Sequence, residues 1–536
     1  MQVRRLAAVY AALLAGFAVV LCRLYLTASN TGYAARAADQ SAVTLGLPAR
    51  RGGFYDCSGL PLTGLEETWY ALCLPGEDSY VRLYDAAGPA GQAALYQRRN
   101  AASPFLLEVS RDVSGLGVYA YPESRRYCAV PLCQHLIGYL DGEGRGVAGL
   151  EAALDPVLAG SGSQDTVTCT VTGQGRLVEG TQPVYTPASF DGAGVQLTIS
   201  RPVQRAAEAV AAETMTSGCI LVLDVDTAQV RASVSLPGYD PDNIAASLDE
   251  AGSPLLDRTL AAYAVGSVFK PVLAAAALEA GLDGLTVECP GYTVVDGQVF
   301  RCASGTAHGT VDLAAALEKS CNGYFIRLGQ ELGAETVLEA ARRLGFGQRV
   351  RVAGTLQGAA GVLPESESLT PAGQLANFSF GQGQLLATPL QVAAMMNAIA
   401  ADGVYRAPSF VLHTLDEATG VVLESYPPPA ARQAFSASTA RRLQQLLAGV
   451  VAEGTGREAA PLFVDAAGKT GTAQTGQFTP GGEEKMNLWF AGFFPASDPE
   501  YTVVVLQDGQ DGQTGPEHSS AAIFAQVCQA LWLLQQ

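Results

Sequence analysis

Four lysines stand among 33 basic residues, and three of them fall in or beside short motifs that carry hydroxyl groups. Lys270 closes Ser267-Val268-Phe269-Lys270. Lys319 precedes Ser320-Cys321-Asn322. Lys469 opens Lys469-Thr470-Gly471-Thr472, and only Lys485 stands apart. The other 29 basic residues are arginine. A buried lysine can release its proton and act as a neutral base, whereas arginine stays charged. The pattern points to lysine-assisted serine chemistry.

A serine hydroxyl is a poor nucleophile until a base removes its proton. The four histidines, His135, His308, His413 and His518, are scattered and offer no evident Ser-His pair. Lys270 lies one helical turn after Ser267 and can serve instead, if burial and a second cation such as Lys469 lower its pKa. An oxyanion needs donors. The backbone N–H groups of Ser267, at a helix start, and of Thr472, on a strand, are the candidates. Ser320 suits proton relay to a leaving group, and Asn322 suits an amide of the substrate. Lys469 and Thr470 suit a carboxylate, with Gly471 between Thr470 and Thr472.

These residues need elements to position them. Ser267 opens a predicted helix in which Pro271 is tolerable only near the start, and Gly281 marks its end. Asp465 to Gln474 reads as a strand carrying Lys469. Asn487 to Phe494 and Tyr501 to Leu506 read as further strands, and Ser519 to Leu534 as a helix. Both faces of the Asn487–Phe494 run are apolar, which suits a central strand with helices on each side. Upstream, Pro202 to Met215 reads as a helix and Cys219 to Val225 as a buried strand. The region before Gly194 is turn-rich, with short β-like runs such as Thr166 to Val171.

At 536 residues the chain exceeds the ~250–300 that one core usually serves, so several domains are expected. A net charge of −18 argues against nucleic acid, whose phosphates need a basic face. Arg4 and Arg5 precede an uncharged run from Leu6 to Cys22, short but long enough to span a bilayer with Arg23 snorkelling at its end. An uncleaved anchor is favoured, with the N-terminus in the cytoplasm and the rest outside. The 11 cysteines show no close C-x-x-C pairs, which argues against a zinc site, and no metal or cofactor is expected. Cys289 and Cys302 either pair or remain buried thiols. Cys321 has no adjacent histidine to make it a nucleophile, and His308 is expected to cap or pack. Lys319 and Lys485 read as ordinary surface charges.

Together the three motifs resemble those of the penicillin-binding protein and serine β-lactamase superfamily, S-x-x-K, S-x-N and K-[ST]-G. Further stretches make the chain similar to a class B penicillin-binding protein. They are Arg51-Gly52-Gly53-Phe54-Tyr55-Asp56, Gly149-Leu150-Glu151, Phe380-Gly381-Gln382-Gly383, Thr388-Pro389-Leu390-Gln391 and Trp489-Phe490-Ala491-Gly492-Phe493. Val265 stands where relatives commonly have proline, and Asp56-Cys57-Ser58-Gly59 and Asp257-Arg258 also depart from the usual pattern.

The resemblance implies an α+β multidomain chain. It would comprise a cytoplasmic N-terminus (1–5), a transmembrane anchor (6–26), a β-rich pedestal (30–190) and a transpeptidase domain (191–536) with a central antiparallel sheet flanked by helices. It implies a peptidoglycan D,D-transpeptidase with Ser267, Lys270 and Ser320 catalytic and Asn322, Lys469, Thr470, Gly471 and Thr472 binding substrate. The implied partners are peptidoglycan stem peptides, β-lactam antibiotics and a polytopic glycan polymerase of the SEDS type. The alternatives are a serine β-lactamase or D,D-carboxypeptidase, and a non-catalytic β-lactam sensor or wall scaffold.

Overall fold

Alternation of apolar residues builds the sheet on which the site rests. In the strand Gly218–Asp224, Ile220 and Val222 pack into one core while Cys219, Leu221 and Leu223 pack into another. The same sorting runs through Glu484–Phe494, where Phe490 and Phe494 face one core and Trp489, Ala491 and Phe493 the other. A strand buried on both faces must be central, and each such side chain taken fully from water contributes about 1.5–3 kcal/mol.

The structure is a computed structural model that describes residues 2–74, 77–115, 118–162, 164–178, 180–511 and 518–536. It contains an antiparallel five-stranded sheet in the order Val230–Leu236, Gly218–Asp224, Tyr501–Gln510, Glu484–Phe494, Ala467–Phe478. Helices Arg201–Thr214 and Ser520–Leu534 cover one face. The wholly buried helix Pro389–Ala400 and the helix Lys270–Glu279 contribute to the core on the other. Pro389–Ala400 opens with a capping box, in which Thr388 and Gln391 satisfy each other's backbone N–H groups.

The strand Ala467–Phe478 is the sheet's edge, with one side paired to Glu484–Phe494 and, among the described residues, no strand paired to the other. The sequence places its start at Asp465 and its end at Gln474; in the structure it runs to Phe478, lengthened by a hairpin with Glu484.

The chain divides into two compact units, one of residues 1–50, 65–126 and 161–191, the other of 51–64, 127–160 and 192–536. The smaller is β-rich, with the sheets Ala42–Ala49/Gln164–Thr170/Val184–Thr186 and Phe105–Val109/Glu66–Cys73/Tyr119–Arg125. It also carries Gln2–Ala28, a helix long and apolar enough to cross a membrane, with its side chains exposed.

Segments 51–64 and 127–160 pack within the larger unit, although a sequence division at residue 190 assigns them to the pedestal. Two motifs explain this. Arg51 Nε donates to the buried carboxylate of Glu151 at 2.7 Å, and its Nη2 reaches Asp155 at 2.8 Å. Asp56 accepts from the backbone N–H groups of Ser58, Leu60 and Arg201. Arg51, Glu151 and Asp56 thus lock the larger unit internally.

Candidate active site

Ser267 lies in a tight 3-10 turn, Gly266–Phe269, that runs directly into the helix Lys270–Glu279. Pro271 at the start of that helix costs no hydrogen bond, because the first N–H groups have no partner within the helix. Phe269 anchors the turn against Phe346 and Phe378, with ring centroids 5.4 and 5.2 Å away.

Two glycines let the turn touch the edge strand. Gly266 has φ +59°, and a Cβ there would sit 2.4 Å from Thr472 O. A Cβ on Gly471 would meet Val268 Cγ1 at 2.8 Å and Val265 O at 3.0 Å. Backbone therefore lies on backbone where Ser267 meets the Lys469-Thr470-Gly471-Thr472 run. Gly381 completes the contact, its carbonyl accepting from Gly266 N at 2.9 Å. Trp489 Nε1 adds a bond to Ala264 O at 3.0 Å.

Lys270 is fully buried, and its Nζ donates to Ser320 O at 2.7 Å, Ser320 Oγ at 3.1 Å and Asn322 Oδ1 at 2.8 Å. Among the described hydrogen bonds none joins Lys270 Nζ to Ser267 Oγ. Burial lowers the Lys270 pKa to about 7, with the thiols of Cys321 and Cys302 opposing the shift. Its Nζ also sits 5.4 Å from the Phe325 ring centroid.

Ser320 has φ +52°, a left-handed conformation uncommon for serine, and this turn directs its carbonyl to Lys270. Asn322 is the first residue of the helix Asn322–Leu332, and its Nδ2 donates to Arg301 O at 2.9 Å.

Lys469 is likewise fully buried, bonded to Thr470 Oγ1 at 3.2 Å and Thr470 O at 3.3 Å. Burial pushes its pKa well down, and the charge of Lys270 adds to the effect. The two buried ammonium groups disfavour each other, and an anion beside Lys469 would favour its protonated form. Thr472 is exposed on the strand, its carbonyl accepting from Gln382 Nε2 at 3.4 Å.

Spacing in the sequence missed several residues of the site. Thr455 bonds Thr470 Oγ1 at 3.0 Å from a distant turn, and Gly266, Gly381 and Gln382 shape the meeting of turn and strand. A glycine directly before Ser267 was the available signal for the close approach. Lys319 is exposed and donates to His308 O at 3.4 Å. Lys485 lies within the strand Glu484–Phe494 rather than in the preceding loop.

A Ser-x-x-Lys turn and a Ser-x-Asn turn joined through one lysine, beside a sheet edge bearing Lys-Thr-Gly, define the penicillin-recognising class of proteins. The profile of the penicillin binding protein transpeptidase domain matches residues 218–529. The chain is 31% identical over 421 residues to stage V sporulation protein D of Bacillus subtilis; the match covers 76% of this chain and 64% of that relative, so it spans less than two thirds of the relative's length.

Among solved structures, the D,D-transpeptidase domain of a peptidoglycan glycosyltransferase from Eggerthella lenta superposes with TM-score 0.67 and 26% identity, covering 91% of this chain and 99% of the other. Penicillin binding protein 3 of Mycobacterium tuberculosis complexed with ampicillin gives TM-score 0.65 and 26% identity, covering 92% and 96%. The chain belongs to the penicillin-binding protein transpeptidase family, in its class B branch.

Proposed function

We propose that this protein is a peptidoglycan D,D-transpeptidase that works through an acyl-enzyme on Ser267 and is acylated there by β-lactams. The observation that carries the reading is Lys270: fully buried, with its pKa lowered to about 7, and joined to both Ser320 and Asn322 one turn after Ser267. Family membership and the likeness to a penicillin-binding protein holding ampicillin support it.

Neutral Lys270 keeps two N–H donors, enough for Ser320 O and Asn322 Oδ1, and its lone pair turns to the Ser267 hydroxyl as substrate arrives. Catalytic hydrogen bonds commonly tighten only in that complex. Ser267 Oγ bonds to the carbonyl carbon of the penultimate D-Ala while its proton passes to Lys270. The N–H groups of Ser267 and Thr472 receive the oxyanion.

Breaking the C–N bond releases the terminal D-Ala, whose amine takes the proton from Lys270 through Ser320. Lys469 and Thr470 hold the terminal carboxylate, and that anion holds the proton on Lys469. Gly471 keeps the strand against the nucleophile turn. The amino group of a neighbouring stem peptide then attacks the acyl carbon, forms the cross-link and frees Ser267.

We propose that the N-terminus is cytoplasmic and the catalytic unit outside; Arg4 and Arg5 in the first turns of the apolar helix Gln2–Ala28 support that orientation. A polytopic glycan polymerase of the SEDS type is the proposed partner that supplies nascent strands.

Labelling with a fluorescent penicillin tests the reading. Stable label in the wild type and none in folded Ser267→Ala supports it. Label that turns over rapidly favours a β-lactamase or D,D-carboxypeptidase, in which water takes the acyl group. Absence of label in folded wild type would overturn the acyl-enzyme.

A further inference from the structure

Four potential metal ligands that lie far apart in the sequence meet beside the Ser320-Cys321-Asn322 turn. Cys289, Cys302, His308 and Cys321 place their Sγ and ring nitrogen atoms within 4.8 Å of one another. Cys289 Sγ is 3.6 Å from Cys302 Sγ and 3.6 Å from His308 Nδ1, and Cys302 Sγ is 4.0 Å from Cys321 Sγ. With Zn–S near 2.3 Å and Zn–N near 2.0–2.1 Å, a tetrahedral centre sets its ligand atoms about 3.8 Å apart for two sulfurs and about 3.6 Å for sulfur and nitrogen. These three separations lie within about 0.2 Å of those edges, and the other three are no longer than 4.8 Å. All three cysteines are free thiols with at most 3% exposure, and His308 is half-buried.

We infer that Cys289, Cys302, His308 and Cys321 form a structural zinc site. Three soft thiolates and one imidazole in tetrahedral array select zinc over hard cations. With four protein ligands and no open position, the site is structural rather than hydrolytic.

The surroundings fit this role. Cys289 ends the strand Val287–Cys289, and the next residue after His308, Gly309, pairs with Cys289 across the ladder. Cys302 follows the hairpin Tyr292–Val295/Gln298–Arg301. Cys321 caps the helix Asn322–Leu332, where Tyr324 N donates to its sulfur at 3.5 Å. Such N–H···S contacts orient thiolate ligands. A Cβ on Gly323 would sit 2.8 Å from Thr293 Oγ1 and 3.5 Å from Cys289 Sγ, so glycine keeps the cradle clear.

The site bears on the active centre. Asn322 Nδ2 bonds Arg301 O, and Arg301 and Asn322 directly adjoin the ligands Cys302 and Cys321. A metal there clamps both ends of that bond, and with it the amide that holds Lys270. No C-x-x-C spacing announces this cluster, because the pairing of Cys289 with Gly309 is what brings Cys289 beside His308.

The test is metal content of the full-length, detergent-solubilised protein purified without chelator. About one zinc per chain is expected, lost in Cys302→Ser and kept in Cys219→Ser, since Cys219 lies outside the cluster. If Cys302→Ser does not fold, a zinc chelator on the wild type should free the metal, expose three further reactive thiols and lower the melting temperature, with Zn2+ restoring it.

Folded wild type without zinc, or a disulfide joining any two of the three cysteines, overturns the site. The metal count does not depend on the reaction proposed above. A chelator-induced fall in penicillin acylation, reversed by Zn2+, does rest on it, and a zinc-loaded chain with no acylation would count against that reaction and not against the metal.

Discussion

Lys270 Nζ donates to Asn322 Oδ1 at 2.8 Å across 52 residues of sequence, so the lysine of one motif is held by the amide of another. An aspartate at 322 would set a carboxylate against that amine and raise its pKa, since an opposite charge favours the ammonium. Asn322→Asp is therefore expected to slow acylation at neutral pH by about ten-fold or more and to move the rising limb of the rate to higher pH. A profile unchanged in both height and position would remove Asn322 from the mechanism.

The Lys270 pKa, lowered to about 7, fixes the sign of the pH dependence. The reactive form is the neutral amine, so the second-order rate of acylation should climb from acid and level off above that value. Lys270→Arg keeps the charge and should abolish acylation.

Stability follows the same group. The unfolded lysine holds its proton up to its ordinary value of 10.5, while the folded one releases it at about 7. The unfolded state thus binds more protons between those values, and stability gains from Lys270 as pH rises through that window. Below it the buried charge is a cost, so Lys270→Met should melt higher than wild type at pH 6. A lower melting temperature there would contradict the burial argument.

Gly266→Ala tests the contact of turn and strand. The new Cβ meets Thr472 O at 2.4 Å, at a residue whose φ of +59° already disfavours alanine. The expected result is a loss of about 1–3 kcal/mol in stability and at least a ten-fold slower acylation. Gly281→Ala has a similar φ of +68° but nothing within 4 Å. It should keep acylation near the wild-type rate, and equal losses in both variants would mean that strain rather than the displaced strand is responsible.

Arg51→Ala removes the guanidinium from the carboxylate of Glu151, whose side chain is 0% exposed, and leaves the hydroxyl of Tyr127 donating to it at 3.2 Å. Removing one partner of a buried pair costs about 3–5 kcal/mol, so a marked fall in melting temperature is expected without loss of the Ser267 chemistry in the protein that remains folded. Arg51→Lys should rescue only part, because Nε and Nη2 serve Glu151 and Asp155 separately. A melting temperature unchanged in Arg51→Ala would refute the internal lock.

Much of the site could be read from the chain because its motifs are local. Ser267 and Lys270 share a turn, Ser320 and Asn322 another, and Lys469 to Thr472 one strand, so spacing alone groups each set. Runs apolar on both faces likewise read as strands over Cys219 to Val225 and Asn487 to Phe494, where the structure has Gly218–Asp224 and Glu484–Phe494. What depends on strand pairing or tertiary burial was hidden. Cys289 and His308 come together only because Cys289 pairs with Gly309, and Lys469 is buried by the elements around it rather than by its neighbours in sequence. The allotment of 51–64 and 127–160 to the larger unit turns on Arg51 finding Glu151, 100 residues away.

The central claim is a covalent bond at Ser267. Intact-protein mass spectrometry after brief exposure to a β-lactam, followed by peptide mapping, reads it directly. The account predicts one adduct of the antibiotic's full mass on the peptide holding Ser267 and Lys270, and none in folded Ser267→Ala. An adduct that persists in Ser267→Ala, or maps to Ser320 or Cys321, would contradict it.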